Sequence, residues 1–160
     1  MKRKKLLVIM ICLACSLFGC SSNKDVTISG NYEFEDIIYI SSLSSSTADY
    51  VKEQMMGTKY TINKDSFEIS SNGIENEFEI SNPEYTKEEI DDDMEQTFNN
   101  AVLDAVSISG YTKKYRYSIH TNKNEKVNYS LYSMDDELWI ASYSNTANDN
   151  TYIMYIFKLK

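Results

Sequence analysis

Beyond residue 20 the chain has no cysteine; its three copies are Cys12, Cys15 and Cys20. The body therefore has no thiol for a disulfide, a cysteine zinc site or a cysteine nucleophile. Histidine occurs once, at His120. That excludes a multi-histidine metal site, and no Ser-His-Asp grouping can be assembled around it. No Gly-x-Ser-x-Gly elbow occurs, so no catalytic set is expected and the chain is read as a non-enzyme. Proline occurs once and glycine five times, which leaves most turns to Asn, Asp and Ser. Positive charge is scarce as well. Sixteen Lys and Arg face 24 Asp and Glu, and Lys2, Arg3, Lys4 and Lys5 all fall in the first five residues. Without those four, 12 cations face 24 anions, a net of −12. A body that acidic repels phosphate backbones, which argues against nucleic acid as a partner, and none is expected.

Residues 1–20 hold most of what is explicit. Four cations precede an apolar run from Leu6 to Phe18, followed by the small Gly19 and then Cys20. As a helix that run is about 20 Å long against a bilayer core of about 30 Å, so it reads as a cleaved secretory leader, with an uncleaved N-terminal anchor as the alternative. Leu17-Phe18-Gly19-Cys20 resembles the lipobox of bacterial lipoproteins. The resemblance implies a signal peptide over 1–19, cleavage before Cys20, and lipidation of Cys20 by a diacylglycerol thioether and fatty acyl chains such as palmitate. Two acyl chains give stable anchoring where one is marginal. Cys15 is a rival cut site, but using it would leave Leu17 and Phe18 exposed. The expected location is the cell membrane, lipid-anchored, on the extracytoplasmic side.

Residues 20–29 read as a lipidated tether, and residues 30–160 as one domain large enough to bury a core. Alternation of period two dominates from Gly30 onward. Tyr32 and Phe34 open a long first strand, expected to bend or bulge near Asp36, that runs on to Ile40. Tyr60 and Ile62, then Phe67 and Ile69, flank a turn at Asn63-Lys64-Asp65. Ser71-Asn72-Gly73 carries a hairpin signal before Phe78 and Ile80. Tyr115, Tyr117 and Ile119 are answered by Val127, Tyr129 and Leu131, and Asp135-Asp136 turns the chain into Leu138-Trp139-Ile140. Tyr152 to Phe157 is apolar on both faces, the pattern of a strand that is buried on both sides or closes a sheet. The expected total is eight strands, mostly antiparallel.

Two helices interrupt them. One starts at Ser46-Thr47-Ala48-Asp49, presents Ala48, Val51 and Met55, and stops at Gly57. Thr86-Lys87-Glu88-Glu89 has capping-box spacing for another, with Ile90, Met94 and Phe98 as its stripe and Pro83 ahead of it. Residues 99–110 fit a continued helix or a ninth strand.

Gly30-Asn31-Tyr32 at the mouth of the first strand, eight antiparallel strands and a helix straight after strand one together resemble the lipocalin-like lipoproteins of bacteria. In lipocalins the aromatic slot usually holds Trp; here Tyr32 fills it, and the only Trp is Trp139. The resemblance implies an eight-stranded up-and-down barrel that holds a small amphipathic ligand. The other reading is a solid barrel whose exterior meets another envelope protein.

Four features invite a chemical role. The thirteen tyrosines suit either a ligand-lined interior or plain barrel filling with hydroxyls at the rim. Glu88, Glu89, Asp91, Asp92, Asp93 and Glu95 form an acidic cluster, but an EF-hand loop from Asp91 would put Gln96 and Val102 where Gly and an acid are needed; a solvated helix face is expected. Lys113, Lys114 and Arg116 are the one basic knot, expected on the wet face of a strand. His120 lies at a strand end among polar residues. Neither a metal nor a cofactor is expected.

Overall fold

A computed structural model of the chain describes residues 28–71, 78–145 and 151–160. Its backbone is a single antiparallel sheet of nine strands: β1 (Gly30–Ile40), β2 (Lys59–Ile62), β3 (Ser66–Ser70), β4 (Phe78–Ser81), β5 (Glu84–Glu89), β6 (Lys114–His120), β7 (Lys126–Met134), β8 (Glu137–Asn145) and β9 (Thr151–Leu159). Two helices are added, α1 (Ala48–Met55) and α2 (Asp92–Ala101). The spatial order is β4-β3-β2-β1-β9-β8-β7-β6-β5. Every strand pairs with its neighbour in sequence except β4 with β5, and β9 returns to pair with β1. The sheet curls into a half-barrel whose two edges, β4 and β5, are joined through Asn82 and Pro83 but do not pair.

Strand β1 is the corner. Gly30 to Glu33 pair with β2, whereas Phe34 to Ile40 pair with β9. The register slips between Phe34 and Asp36 and again between Ile37 and Tyr39, so the strand is bulged around Asp36 as its alternation implied. The second slip makes Ile38 an extra residue and sends it and Tyr39 together toward the convex face. Where β8 meets β9 a matching slip between Ser142 and Tyr143 leaves Met154 without a register partner in β8, which puts Ile153 and Ile156, three apart, on the same side.

These slips matter because the sheet is apolar on both faces. On the concave face Phe34, Tyr60, Ile62, Phe67, Ile119, Leu131, Ile140 and Phe157 form one buried cluster, which Val51 of α1 joins. On the convex face Tyr39, Tyr132, Met134, Trp139, Ala141, Ile153 and Ile156 pack with Phe98 of α2 and with Ile90, Val102 and Ile108, which flank it. Each such side chain contributes about 1.5–3 kcal/mol by leaving water. Ile28 is buried in the concave cluster, and the Tyr32 hydroxyl donates to its carbonyl at 3.0 Å.

Three expectations are corrected. The strands number nine, not eight, and the sheet is an open half-barrel and not a closed barrel. The ninth strand comes from Thr86–Glu89, read from its spacing as a helix start. In the fold these residues belong to β5 and pair residue for residue with β6. The cap of α2 is Asp91, whose carboxylate accepts from the Met94 N–H at 2.9 Å, with Asp92, Asp93 and Glu95 in the favourable first turn. Residues 99–110 are helical only to Ala101; Leu103 and Asp104 then turn left-handed (φ 52° and 55°) and end the helix, so no further strand forms there.

Helix α1 follows its sequence signals. Thr47 caps it by accepting from the Tyr50 N–H, and Gly57 adopts φ 79°, a conformation open to glycine at little cost. Lys52 pins it to β1 through Asp36 at 2.8 Å. The Asn72-Gly73 hairpin signal and residues 146–150 lie outside the described residues. Among the described residues no helix is long and apolar enough to cross a membrane.

Candidate functional site

The concave cluster does not fill the half-barrel. Between α1 and the sheet lies a cavity of about 390 Å³, bounded by Val51 and Met55 of α1, Tyr60 of β2, Ile69 of β3, Tyr129 of β7, Ile140 and Ser142 of β8 and Tyr155 and Phe157 of β9. Ligand pockets start at about 300 Å³, so the space suits a small molecule. Ser46, Tyr50 and Gln54 complete its wall on the α1 side, with Tyr50 and Gln54 exposed. Its chemistry is narrow. The apolar lining comes from Val, Met, Ile and Phe, the polar lining from hydroxyls and one amide, and no Lys, Arg, His, Asp or Glu takes part.

Two wall residues carry an unmet demand. Thr58 and Tyr60 are each 1% exposed, and neither the Thr58 Oγ1 nor the Tyr60 hydroxyl has a hydrogen-bond partner among the described residues. A buried hydroxyl left unpaired costs about 1–3 kcal/mol, so two at one cavity are an unusual concentration. They share a face because they stand two residues apart on extended chain. Burial pushes the Tyr60 phenol well above its ordinary range, and Tyr129, also in the cavity wall, pushes it the same way. Both phenols are neutral near pH 7, able to donate and to accept.

A larger hollow of about 460 Å³ lies on the outer side, between the chain after β1 and the end of α2, with Leu43, Leu103 and Tyr152 exposed around it. It contains no unpartnered buried hydroxyl.

The other sequence candidates are absorbed by structure. Of the acidic cluster, Asp91 caps α2, Glu88 meets Arg116 (Nη2 at 2.5 Å), and Glu95 pairs with Lys114. Those two pairs also account for most of the basic knot, which clamps α2 and β5 against β6; the Lys113 N–H donates to Asp135 at 2.8 Å. Burial lowers the affinity of the Arg116 guanidinium for its proton, but Glu88 together with Tyr132 and Tyr143 outweighs it and holds the group above its ordinary range. Among the described residues no three His, Cys, Asp or Glu side chains converge as a metal site. His120 sits at the end of β6, opposite Glu84 and Lys126 in register, with its Nδ1 buried and unpartnered. The tyrosines divide between the faces: Tyr32, Tyr60, Tyr85, Tyr115, Tyr117, Tyr129 and Tyr155 serve the concave cluster, Tyr39, Tyr132, Tyr111 and Tyr143 the convex one, and Tyr50 and Tyr152 are exposed. Cys20 lies outside the described residues.

Thr58 is the residue sequence reasoning missed. It precedes β2 and looks like a loop threonine, although its place two residues before an inward tyrosine is the one signal that could have found it. No family model matches the chain, and neither a curated protein nor a solved structure matches it.

Proposed function

We propose that the protein is a cell-envelope lipoprotein that binds a small amphipathic ligand in a lipocalin-like half-barrel. The leader 1–19 is removed, Cys20 carries the lipid, and residues 20–29 hold the domain close over the membrane on its extracytoplasmic side. The role is binding and not catalysis. The observation that carries the reading is the cavity of about 390 Å³ under α1, at the place where a solid barrel would be filled with side chains.

Two measurements test the two halves. Radiolabelled palmitate supplied to cells should label the protein and fail to label Cys20→Ser; equal labelling of both forms contradicts the anchor. The chain from Ser21, recovered from cells and weighed by native mass spectrometry, should retain a small molecule that Ile69→Trp, which fills the cavity, no longer holds. A bare mass for both contradicts the ligand.

The exposed Leu43, Leu103 and Tyr152 around the outer hollow favour a second reading, an envelope protein–protein module. Cross-linking in intact cells that captures one partner, lost in Leu103→Asp and kept in Ile69→Trp, would favour it over the first.

A further inference from the structure

A second pocket, of about 230 Å³, lies on the convex face beneath α2 and shares no residue with the cavity under α1. Ile90, Met94 and Ile153 stand in its apolar wall. Arg116, Lys126, Tyr132 and Tyr143 stand in its polar one, and no Asp or Glu lines it. In a body with twice as many acids as cations, such a lining is an exception.

The hydrogen bonds of this wall run in one direction. Arg116 can only donate. Its Nε and Nη2 donate to one oxygen of Glu88 at 3.1 and 2.5 Å, and it also hydrogen-bonds the phenol of Tyr132, its register partner in β7. The Tyr132 oxygen is therefore an acceptor. Tyr132 is 4% exposed, and the one acceptor for its own hydrogen among the described residues is the Tyr143 hydroxyl, at 2.9 Å. A buried phenol rarely leaves its hydrogen unpaired, so Tyr132 donates to Tyr143. The hydrogen of the half-buried Tyr143 then has no acceptor among the described residues. Lys126 is exposed, forms no ion pair among the described residues, and is a donor only. Thr97, the remaining hydroxyl of the lining, already donates to the Asp93 carbonyl at 2.9 Å.

We propose that this pocket binds a small organic carboxylate, its oxygens accepting from the Tyr143 hydroxyl and the Lys126 ammonium and its short apolar body lying against Ile90, Met94 and Ile153 beneath α2. Hydrogen bonds to an ionised acceptor are the stronger kind. The volume is below the roughly 300 Å³ at which pockets for larger ligands begin, which limits the apolar body to a short chain. Acids elsewhere on the domain are screened over about 8 Å at physiological ionic strength, so the donors in contact with the carboxylate outweigh them. The site stands whether or not the half-barrel cavity holds a ligand.

The chain from Ser21 contains every residue of both buried clusters and serves for the test. With its methyl groups isotopically labelled, it is titrated at pH 7 with hexanoate, hexan-1-ol and hexylammonium, following the NMR signals of Ile90, Met94 and Ile153 on the convex side and of Ile69 and Ile140 in the half-barrel. Hexanoate should move the three convex signals and bind there at least about threefold more tightly than the alcohol or the cation, an advantage that shrinks as salt is added. Tyr143→Phe should weaken hexanoate about three- to tenfold, the worth of one hydrogen bond, and Lys126→Gln at least about threefold, while Lys126→Arg keeps the affinity. Dispersed methyl spectra show that the variants have folded. Hexan-1-ol or hexylammonium binding as tightly as hexanoate, or a hexanoate affinity indifferent to both Tyr143→Phe and Lys126→Gln, overturns the carboxylate site. Hexanoate that leaves the three convex signals unmoved overturns it too, and movement of Ile69 and Ile140 alone does so while supporting the cavity under α1.

Discussion

The hydroxyls of Ser44 and Tyr155 stand 2.8 Å apart across 111 residues of chain. Tyr155 also stacks on Phe157 in the cavity wall, with ring centroids 5.7 Å apart, and Ser44 Oγ accepts from the Ser46 N–H at 3.1 Å. One hydrogen bond thus ties the segment leading into α1, within the long connection between β1 and β2, to β9. Tyr155→Phe removes it and leaves the ring. The domain should lose about 1 kcal/mol, and hydrogen exchange at the amides of Val51 and Met55 should accelerate more than that of β7 and β8. Unchanged exchange in α1 would show that Lys52–Asp36 and Val51 hold the helix without this contact.

On the convex face Glu137 gathers three donors. Its Oε2 accepts from Trp139 Nε1 at 2.9 Å and from the Tyr111 hydroxyl at 3.0 Å, and its Oε1 meets Lys158 Nζ at 2.9 Å. Lys158 is the main reason the carboxyl is held below its ordinary range, with Trp139 and Tyr111 adding to it against a cost of burial. A carboxyl lowered in the folded state contributes stability above its unfolded value of about 4.3, and that contribution is lost as pH falls toward the folded value. Urea unfolding followed by Trp139 fluorescence should show stability falling across this acid window, with a shallower fall in Glu137→Gln. Parallel curves for the two proteins would contradict the assignment.

Alkali acts on the tyrosines in the opposite sense. Burial raises the phenols of Tyr60, Tyr85, Tyr129 and Tyr132 in the folded state. The unfolded chain gives up these protons near pH 10 and the folded chain holds them, so stability is intact below about 10 and declines above it. Phenolate absorbance for these four should therefore appear in a cooperative step that coincides with loss of the circular dichroism of the sheet. A smooth titration of all thirteen tyrosines in a domain that stays folded would contradict their burial.

Because β7, β8, β9 and β1 contribute to both apolar clusters, the two cores should melt together. Phe67 on the concave side is 0% exposed and sits 6.1 Å, ring to ring, from both Phe78 and Tyr129; Phe98 on the convex side packs on Tyr132 at 5.3 Å. Phe67→Ala and Phe98→Ala should each cost about 3–5 kcal/mol, and each should unfold in a single transition by calorimetry. Two separated transitions in Phe98→Ala would mean that the convex layer folds independently.

Period-two alternation was readable wherever one face of a strand is polar, as in Tyr60-Thr61-Ile62 and in Tyr115 to Ile119. The bulge near Asp36 showed as a change of phase, and α1 was delimited by Thr47 and Gly57. Thr86–Glu89 misled because its capping-box spacing is local, while the pairing of Glu88 with Arg116 is 28 residues away. Once that segment is a strand, the count becomes nine. The second core was visible only as an oddity, the doubly apolar Tyr152–Phe157, because the sequence does not say which helix covers which face. The cavity was not legible at all: Thr58, Ile140 and Phe157 meet only through the curl of the sheet.

The most direct test of the account is a crystal structure of the domain recovered from cells with no ligand or detergent added. Continuous density for a small molecule in the space between Val51, Met55, Ile140 and Phe157 is the predicted result. A space closed by the repacked side chains of its own walls would contradict it.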